Sequence, residues 1–267
     1  MPRFLGALLL ILLLLTACTG TNTDAPPDVS QLLTDANNNM HSVSTFRLSL
    51  EQSGAPYYIS VNLGEGVVDA QVRRASAYFQ SPDVMQGSAR VLVGALAIDV
   101  GLFARVTNQW VSLPGGDWIN VDFAPGFDAS TLQAQGGGFE RAITGLQNPQ
   151  YVGAEDLEDG TQVYHLSGTS NGDEVAALTV GLIESDNDIN VDLYIERETR
   201  YPRRVVLTQP ETVTEDEPEP TTWTVDIYDF NAPVELDDPE AGVVADATSE
   251  ATAVETEAMT PEATAAP

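Results

Sequence analysis

The chain has no lysine, one cysteine and two histidines, and aromatic residues make up only 7 % of its 267 positions. Each scarcity excludes something. One cysteine, Cys18, cannot form an internal disulfide, so the fold has to rest on a buried core, and the chain is long enough to supply one. Eleven arginines against 40 acidic residues leave a net charge of −29. Nucleic-acid phosphates would be repelled by such a chain, and a polybasic grip on anionic lipid is equally excluded. Two histidines, His41 and His165, far apart in sequence, do not form a metal or nucleophile site by spacing. No apolar run approaches the roughly 20 residues needed to cross a bilayer; the longest, Phe4–Leu15, has twelve.

That short run lies between Arg3 and the small residues Thr16 and Ala17, directly before Cys18. An oily stretch of this length after a positive residue fits the h-region of an export signal. The string Leu15-Thr16-Ala17-Cys18 resembles the lipobox of bacterial lipoproteins. The resemblance implies cleavage before Cys18 and a thioether-linked diacylglycerol on its thiol, with no other cofactor expected. Several acyl chains together anchor firmly where one alone is marginal.

Composition then divides the chain. Residues 1–17 read as the signal and 18–27 as a small, polar, Pro-ended tether. A folded domain is expected over 28–236. Residues 237–267 are rich in Ala, Thr and Glu and have no aromatic residue, the composition of an acidic disordered tail. The internal acidic stretch PETVTEDEPEP, 210–220, falls between two strand-like segments and reads as a long hairpin loop.

Within the domain, Asp28 followed by Gln31 forms a capping-box pattern, and Val29, Leu32, Leu33, Ala36 and Met40 recur at helical spacing. Period-two alternation follows. Phe46, Leu48 and Leu50 share one phase, as do Tyr57, Ile59, Val61 and Leu63. So do Ile189, Val191, Leu193 and Ile195, and also Trp223, Val225 and Ile227. One apolar and one wet face is the pattern of an antiparallel sheet covered on one side. LGEG at 63–66, EDGT at 158–161 and SNGD at 170–173 read as hairpin connections. ARVLVGALAI, 89–98, is apolar in both phases and is expected to be covered on both faces. The stretch 128–146 holds one or two helices broken at Gly136-Gly137-Gly138, and 173–183 a short helix with Val175, Leu178 and Leu182 on one face. Helix, strands, helices, strands in that order predict an α+β fold with helices gathered on one face of an antiparallel sheet.

Several strings in this order resemble the LppX/LprG lipoproteins: SVSTFRLSL at 42–50, Gly116-Asp117-Trp118, GAEDLEDGTQVYHLSGT at 153–169, VDLYIERETRYPRRVVL at 191–207 and YDFNAPVELDDPEA at 228–241. The absence of lysine, the acidic 210–220 insertion and the acidic tail depart from the family pattern. The resemblance implies a LolA/LolB-like fold, a strongly curved antiparallel half-barrel with helices on its concave face and an apolar cavity between. It further implies a non-enzymatic protein that binds an acylated lipid or glycolipid and hands it between membranes or to a membrane export protein.

Candidate cavity residues on the inward strand phase are Phe46, Leu48, Ile59, Val61, Leu193, Ile195, Trp223 and Val225. On the helices they are Phe139, Ile143, Leu146, Leu178 and Leu182. The same residues serve equally as solid core, and the pattern alone does not separate the two. A second reading is a sensor or interaction module of the same fold acting on a protein partner in envelope signalling; a monomer is expected under either reading. Other motifs point elsewhere. Asp186, Asp188 and Asn190 lack the glycine and distal glutamate of a calcium loop and read as a polar turn into a strand. Ser112 and Ser167 sit in no nucleophile elbow. Arg197, Arg200, Arg203 and Arg204 cluster around one turn and suit a lipid phosphate or an acidic sugar, but with 40 carboxylates in the chain pairing with neighbouring acidic side chains is the favoured expectation.

Overall fold

The computed structural model describes residues 26–62, 67–124, 126–179, 181 and 183–240. Cys18, Leu182, the LGEG turn and the tail beyond 240 lie outside the described residues. Helix α1 (Val29–Ser42) starts where expected: Asp28 accepts a hydrogen bond from the Gln31 backbone N–H at 2.9 Å. Its i, i+4, i+8 stripe Leu32, Ala36 and Met40 is buried, so the period seen in the sequence is the face that packs.

The strands follow: β1 (Thr45–Ser53), β2 (Ile59–Asn62), β3 (Val67–Gln80), β4 (Val84–Val93), β5 (Leu96–Arg105), β6 (Asn108–Ser112) and β7 (Ile119–Asn120). A 3₁₀ turn (Ala129–Leu132) and α2 (Gly138–Thr144) come next. Then follow β8 (Gln147–Asp156), β9 (Gln162–Ser170), α3 (Gly172–Leu178), β10 (Ile189–Glu196), β11 (Pro202–Gln209) and β12 (Thr221–Tyr228). All twelve strands join one unclosed sheet in the order β7-β6-β5-β4-β3-β1-β12-β11-β10-β9-β8, with β2 on β3. Every described pairing is antiparallel. The long-range step is β1 beside β12, Leu48 opposite Ile227, which seats the N-terminal strand in mid-sheet. Among the described residues no helix is long and apolar enough to cross a membrane.

One core unites helices and sheet. It runs from Leu32 and Met40 of α1 through Phe46, Phe79, Phe139 and Ile143 to Leu193, Ile195, Trp223 and Ile227. Phe46 stacks on Phe79 at 4.9 Å and meets Phe139 edge-on at 5.3 Å. A second, small core lies on the opposite face of the sheet: Val84, Phe103 and Trp110 with Trp118 and Leu236 over them. There the C-terminal segment crosses the sheet. Asp238 and Glu240 pair with Arg105 at 2.6 and 3.3 Å, and the Asp237 backbone N–H bonds to the Gln86 side chain at 2.7 Å. Residues 237–240, read from composition as the start of the tail, are therefore part of the packed domain.

Three local expectations change. SNGD is no hairpin: Ser170 ends β9 and Asn171 caps α3, its side chain accepting from the Glu174 backbone N–H at 3.0 Å. Asn favours both settings, and only the following helical stripe tells them apart. The 57–63 alternation becomes a strand only at Ile59–Asn62, with Tyr57 outside it. ARVLVGALAI is not covered on both faces. Arg90 and Asp99 hold each other at 3.3 Å on the outer side, and Leu96 is 61 % exposed.

Candidate functional site

The inward phase of each strand faces the helices. Across β10, β11 and β12 it presents Val191 and Leu193, Val205 and Leu207, and Trp223, Val225 and Ile227, all buried. Helix α2 begins where the glycine run allows it. Gly136 has φ 67°, and a Cβ on Gly138 would fall 2.5 Å from the Leu132 carbonyl oxygen, so the chain can fold back tightly only without side chains there. α2 then points Phe139 and Ile143 at the sheet, and α3 adds Val175 and Leu178.

Between these two short helices and β10–β12 lies an apolar cavity of about 30 Å³. Phe139, Ile143, Leu146, Leu178 and Leu193, all expected from the sequence, line it. Ala142, Ser170, Val175, Val191, Pro202, Val205, Leu207 and Ile227 complete the wall. Ser170 carries the single polar side chain in that lining. Most of the missed residues were legible: Val191 and Ile227 share the inward phase of Leu193 and Val225, and Val205 and Leu207 alternate in the same way. Phe46, Ile195, Trp223 and Val225 are buried in the core without lining the cavity. Leu48 is half-buried against the core. Ile59 is half-buried on β2, away from the cavity, and the side chain of Val61 is not described. Ligand pockets span roughly 300–1,000 Å³, so this conformation is closed and holds no room for an acyl chain.

The roof is tied down at its rim. Arg141 of α2 meets Glu174 of α3 at 2.6 Å. Tyr57 packs edge-on against Trp223 at 5.4 Å. Its hydroxyl accepts from the Glu184 N–H at 2.9 Å and donates to the Glu184 carbonyl at 3.3 Å. Burial raises the Tyr57 pKa above that of a free phenol. His41, read as a dipole-matched residue at the end of α1, also bridges to this roof. It bonds the Gln133 carbonyl at 2.9 Å and Glu140 at 3.1 Å.

The inward face continues beyond the roofed half. Leu50, Ala75, Ala89 and Val100 stand in one row across β1, β3, β4 and β5, and Leu48, Ala77, Gly87 and Leu102 in the next. Except for the buried Ala89 these are only half-buried. Four small residues, Ala75, Ala77, Gly87 and Ala89, thus floor a shallow apolar trough walled by leucine and valine. The outer face of the same strands is polar, with Ser49, Ser76 and Ser88 in register and Glu51 paired to Arg74 at 2.8 Å.

Of the arginine cluster, Arg203 and Arg204 pair with carboxylates as expected, while Arg197 and Arg200 meet a tyrosine. Arg203 meets Asp159 at 2.9 Å, and Arg204 meets Glu158 at 2.9 Å and Asp226 at 2.6 Å. The hydrogen bond to Asp226 chiefly raises the Arg204 pKa, and Arg204 in turn lowers that of Glu158. Arg197 and Arg200 sit over the Tyr164 ring at 5.3 and 5.0 Å, and their hydrogen bonds to it lower the phenol's pKa. His165 lies on β9 between Glu155 at 3.0 Å and Asp192 at 2.7 Å, stacked on Tyr194. Among the described residues no group of three or more His, Cys, Asp or Glu converges as a metal site.

No curated protein sequence matches the chain. Among solved structures, LprF from Mycobacterium bovis matches with TM-score 0.55 and 16 % identity, over 79 % of this chain and 96 % of that one. The lipoprotein LppX from Mycobacterium tuberculosis matches with TM-score 0.53 and 16 % identity, over 78 % and 98 %. At such identity the likeness establishes the fold. A LolA superfamily protein from Nitrosomonas europaea also matches, 12 % identical over 79 % and 96 % of the two chains, at TM-score 0.28. The LppX_LprAFG lipoprotein profile matches residues 28–236, from the cap of α1 to Leu236 on the second core. The chain belongs to the LppX_LprAFG lipoprotein family.

Proposed function

We propose that this protein is an extracytoplasmic lipoprotein, anchored through diacylglycerol on Cys18, that binds the acyl chains of a lipid or glycolipid and carries them without chemical change. The observation that carries the reading is the inward face of the sheet. From β10 to β5 it is mostly apolar, with the buried polar Gln52, Gln209 and Thr221 gathered at one end, and it is roofed over one half by two helices of seven residues each and floored by small side chains over the other. A tail laid there leaves water at a gain of roughly 25 cal/mol per Å² of apolar area. Loading requires α2 and α3 to lift, since the closed cavity admits about one methylene. Helices this short owe their stability to packing rather than to their own hydrogen bonds, which makes them suited to move. Their rim contacts, Arg141–Glu174 and Tyr57–Glu184, are polar and re-form without strain.

The test is extraction of the purified protein with chloroform and methanol, followed by mass spectrometry, together with titration of a fluorescent fatty acid. Near-stoichiometric lipid, or saturable fatty-acid binding, is the expected result. A lipid-free extract with no saturable binding removes the reading. The small closed cavity favours a second reading in that event, a non-enzymatic module of the same fold that regulates envelope signalling by binding a protein partner.

A further inference from the structure

We propose that the hairpin joining β4 and β5 is a membrane-contacting tip, inserted into the zwitterionic surface of the bilayer that holds the lipid anchor. Residues 91–98, VLVGALAI, carry no charge in a chain with 40 acidic residues and 11 arginines. Gly94, at φ 57°, and Ala95 turn the chain tightly, so the apolar residues close the end of the β4–β5 ladder, beside the β2–β3 ladder that continues through Val67 at the same end of the sheet. Leu96 is 61 % exposed, and Gly94, Ala95 and Ala97 are exposed with it. Uncovered apolar surface of this kind marks a contact site. The charged boundary falls directly below the tip, where Arg90 and Asp99 face each other across the two strands at 3.3 Å. A pair so placed remains in the headgroup layer while the residues beyond it enter hydrocarbon. Tyr58, 61 % exposed at the same end of the sheet, offers an amphipathic ring suited to the interface.

The occupant follows from reach and charge. Residues 19–27 can span at most ~32 Å, so a domain anchored at Cys18 stays beside one bilayer, and a weak contact is sufficient when tethered. The acidic β11–β12 loop, with Glu211, Glu215, Asp216, Glu217 and Glu219, opens at the same end of the sheet. It would be repelled by anionic lipid, so the surface contacted is zwitterionic. Leu96, Ile98, Val100 and Leu102 also continue from the tip onto the apolar inward face. A tail leaving the bilayer there would reach the trough without crossing water. That last consequence rests on the lipid-binding reading, whereas the membrane contact rests only on the anchor at Cys18.

Among the described residues the core runs from Val29 to Leu236, so a chain starting at Thr19 keeps all of it, and it has no cysteine. Leu96→Cys, labelled with an environment-sensitive nitrobenzoxadiazole, reports the tip. Glu198→Cys, exposed in the β10–β11 turn at the opposite end, is the control. With phosphatidylcholine vesicles at millimolar lipid, emission at position 96 shifts to the blue and emission at 198 does not. Phosphatidylglycerol vesicles give a weaker shift. In co-sedimentation, Leu96→Asp lowers the vesicle-bound fraction at least tenfold, with its melting temperature unchanged. Equal responses at 96 and 198, or wild-type sedimentation of Leu96→Asp, overturn the proposal. A blue shift that grows with protein concentration in the absence of vesicles also overturns it, and assigns the tip to a second copy of the chain. Lipid extracted from the Leu96→Asp protein is measured separately, so failure of the carrier reading and failure of the tip are distinguishable.

Discussion

Truncating Leu193 tests the packing under the helical roof and its capacity to open. Leu193 sits on β10, 3 % exposed, and lines the cavity opposite α2. Leu193→Ala removes an isopropyl group from a wall that already borders about 30 Å³ of empty space. Leucine-to-alanine changes in cores cost ~2–5 kcal/mol, rising by about 24 cal/mol for each Å³ left unfilled. The pre-existing void works against collapse. Two helices short enough to settle toward the sheet work in its favour. The expected loss is therefore near the middle, about 3 kcal/mol, which lowers the melting temperature by roughly 6–12 °C for a domain of this size. The assay is thermal and urea unfolding followed by the emission of Trp223, 1 % exposed beside the site. A long-chain fatty acid is then added at about 100 times its dissociation constant, where a ligand specific for the folded state contributes ~2.7 kcal/mol. The variant, with a larger hollow, regains most of its lost stability, and the wild type gains less because its own side chains compete for the space. Unfolding of Leu193→Ala at the wild-type temperature would refute the packing described for β10 under α2. A stable loss that no fatty acid repairs would refute the claim that this hollow admits hydrocarbon.

Asp28→Ala removes the cap of α1 and is expected to cost about 1 kcal/mol, measured as a shift of the urea midpoint with unchanged slope. His165→Leu leaves Glu155 and Asp192 without their shared partner and removes the stacking on Tyr194. A loss of roughly 1–2 kcal/mol is expected, partly relieved by salt because the two carboxylates then face each other unscreened. Acid should release the C-terminal segment. Burial pushes the Asp238 pKa up, but the hydrogen bonds from Arg105 and the Glu240 N–H outweigh it, and the net shift is downward. A carboxylate with its folded pKa below its unfolded value contributes fully above about pH 4 and loses that contribution as pH falls through the folded value. Trp118, whose indole N–H donates to Asp237 at 3.3 Å, reports the release by fluorescence. In Arg105→Gln the same transition is expected at higher pH, and an unmoved midpoint would contradict the pairing.

Local order was legible in the residues themselves. The cap at Asp28, the stripe Leu32-Ala36-Met40 and the strand phases through Leu193 and Trp223 depend on contacts a few residues apart, and side-chain period reports them directly. The twelve-residue apolar run ahead of Cys18 reads as an export signal, and the charge of −29 with no lysine argues against nucleic acid, before any fold is known. The carboxylate pairing of Arg203 and Arg204 was legible too, because so few cations among so many carboxylates favour it, whereas the seating of Arg197 and Arg200 on Tyr164 was not. What tertiary structure decided is where those faces meet. No pattern within β1 states that it lies beside β12, nearly 180 residues away, and this pairing makes one inward surface out of two separate runs of strands. Nor does alternation tell a filled interior from a hollow one, since leucines lining a cavity and leucines filling it have the same period. The distance between α2 and the sheet, fixed by Gly138 folding against Leu132 and by Phe139 against Phe46, sets that volume. The exposure of Leu96 was hidden for the same reason: a buried strand and a protruding apolar tip are written with the same residues, and only the position of everything else in the fold determines which one faces solvent.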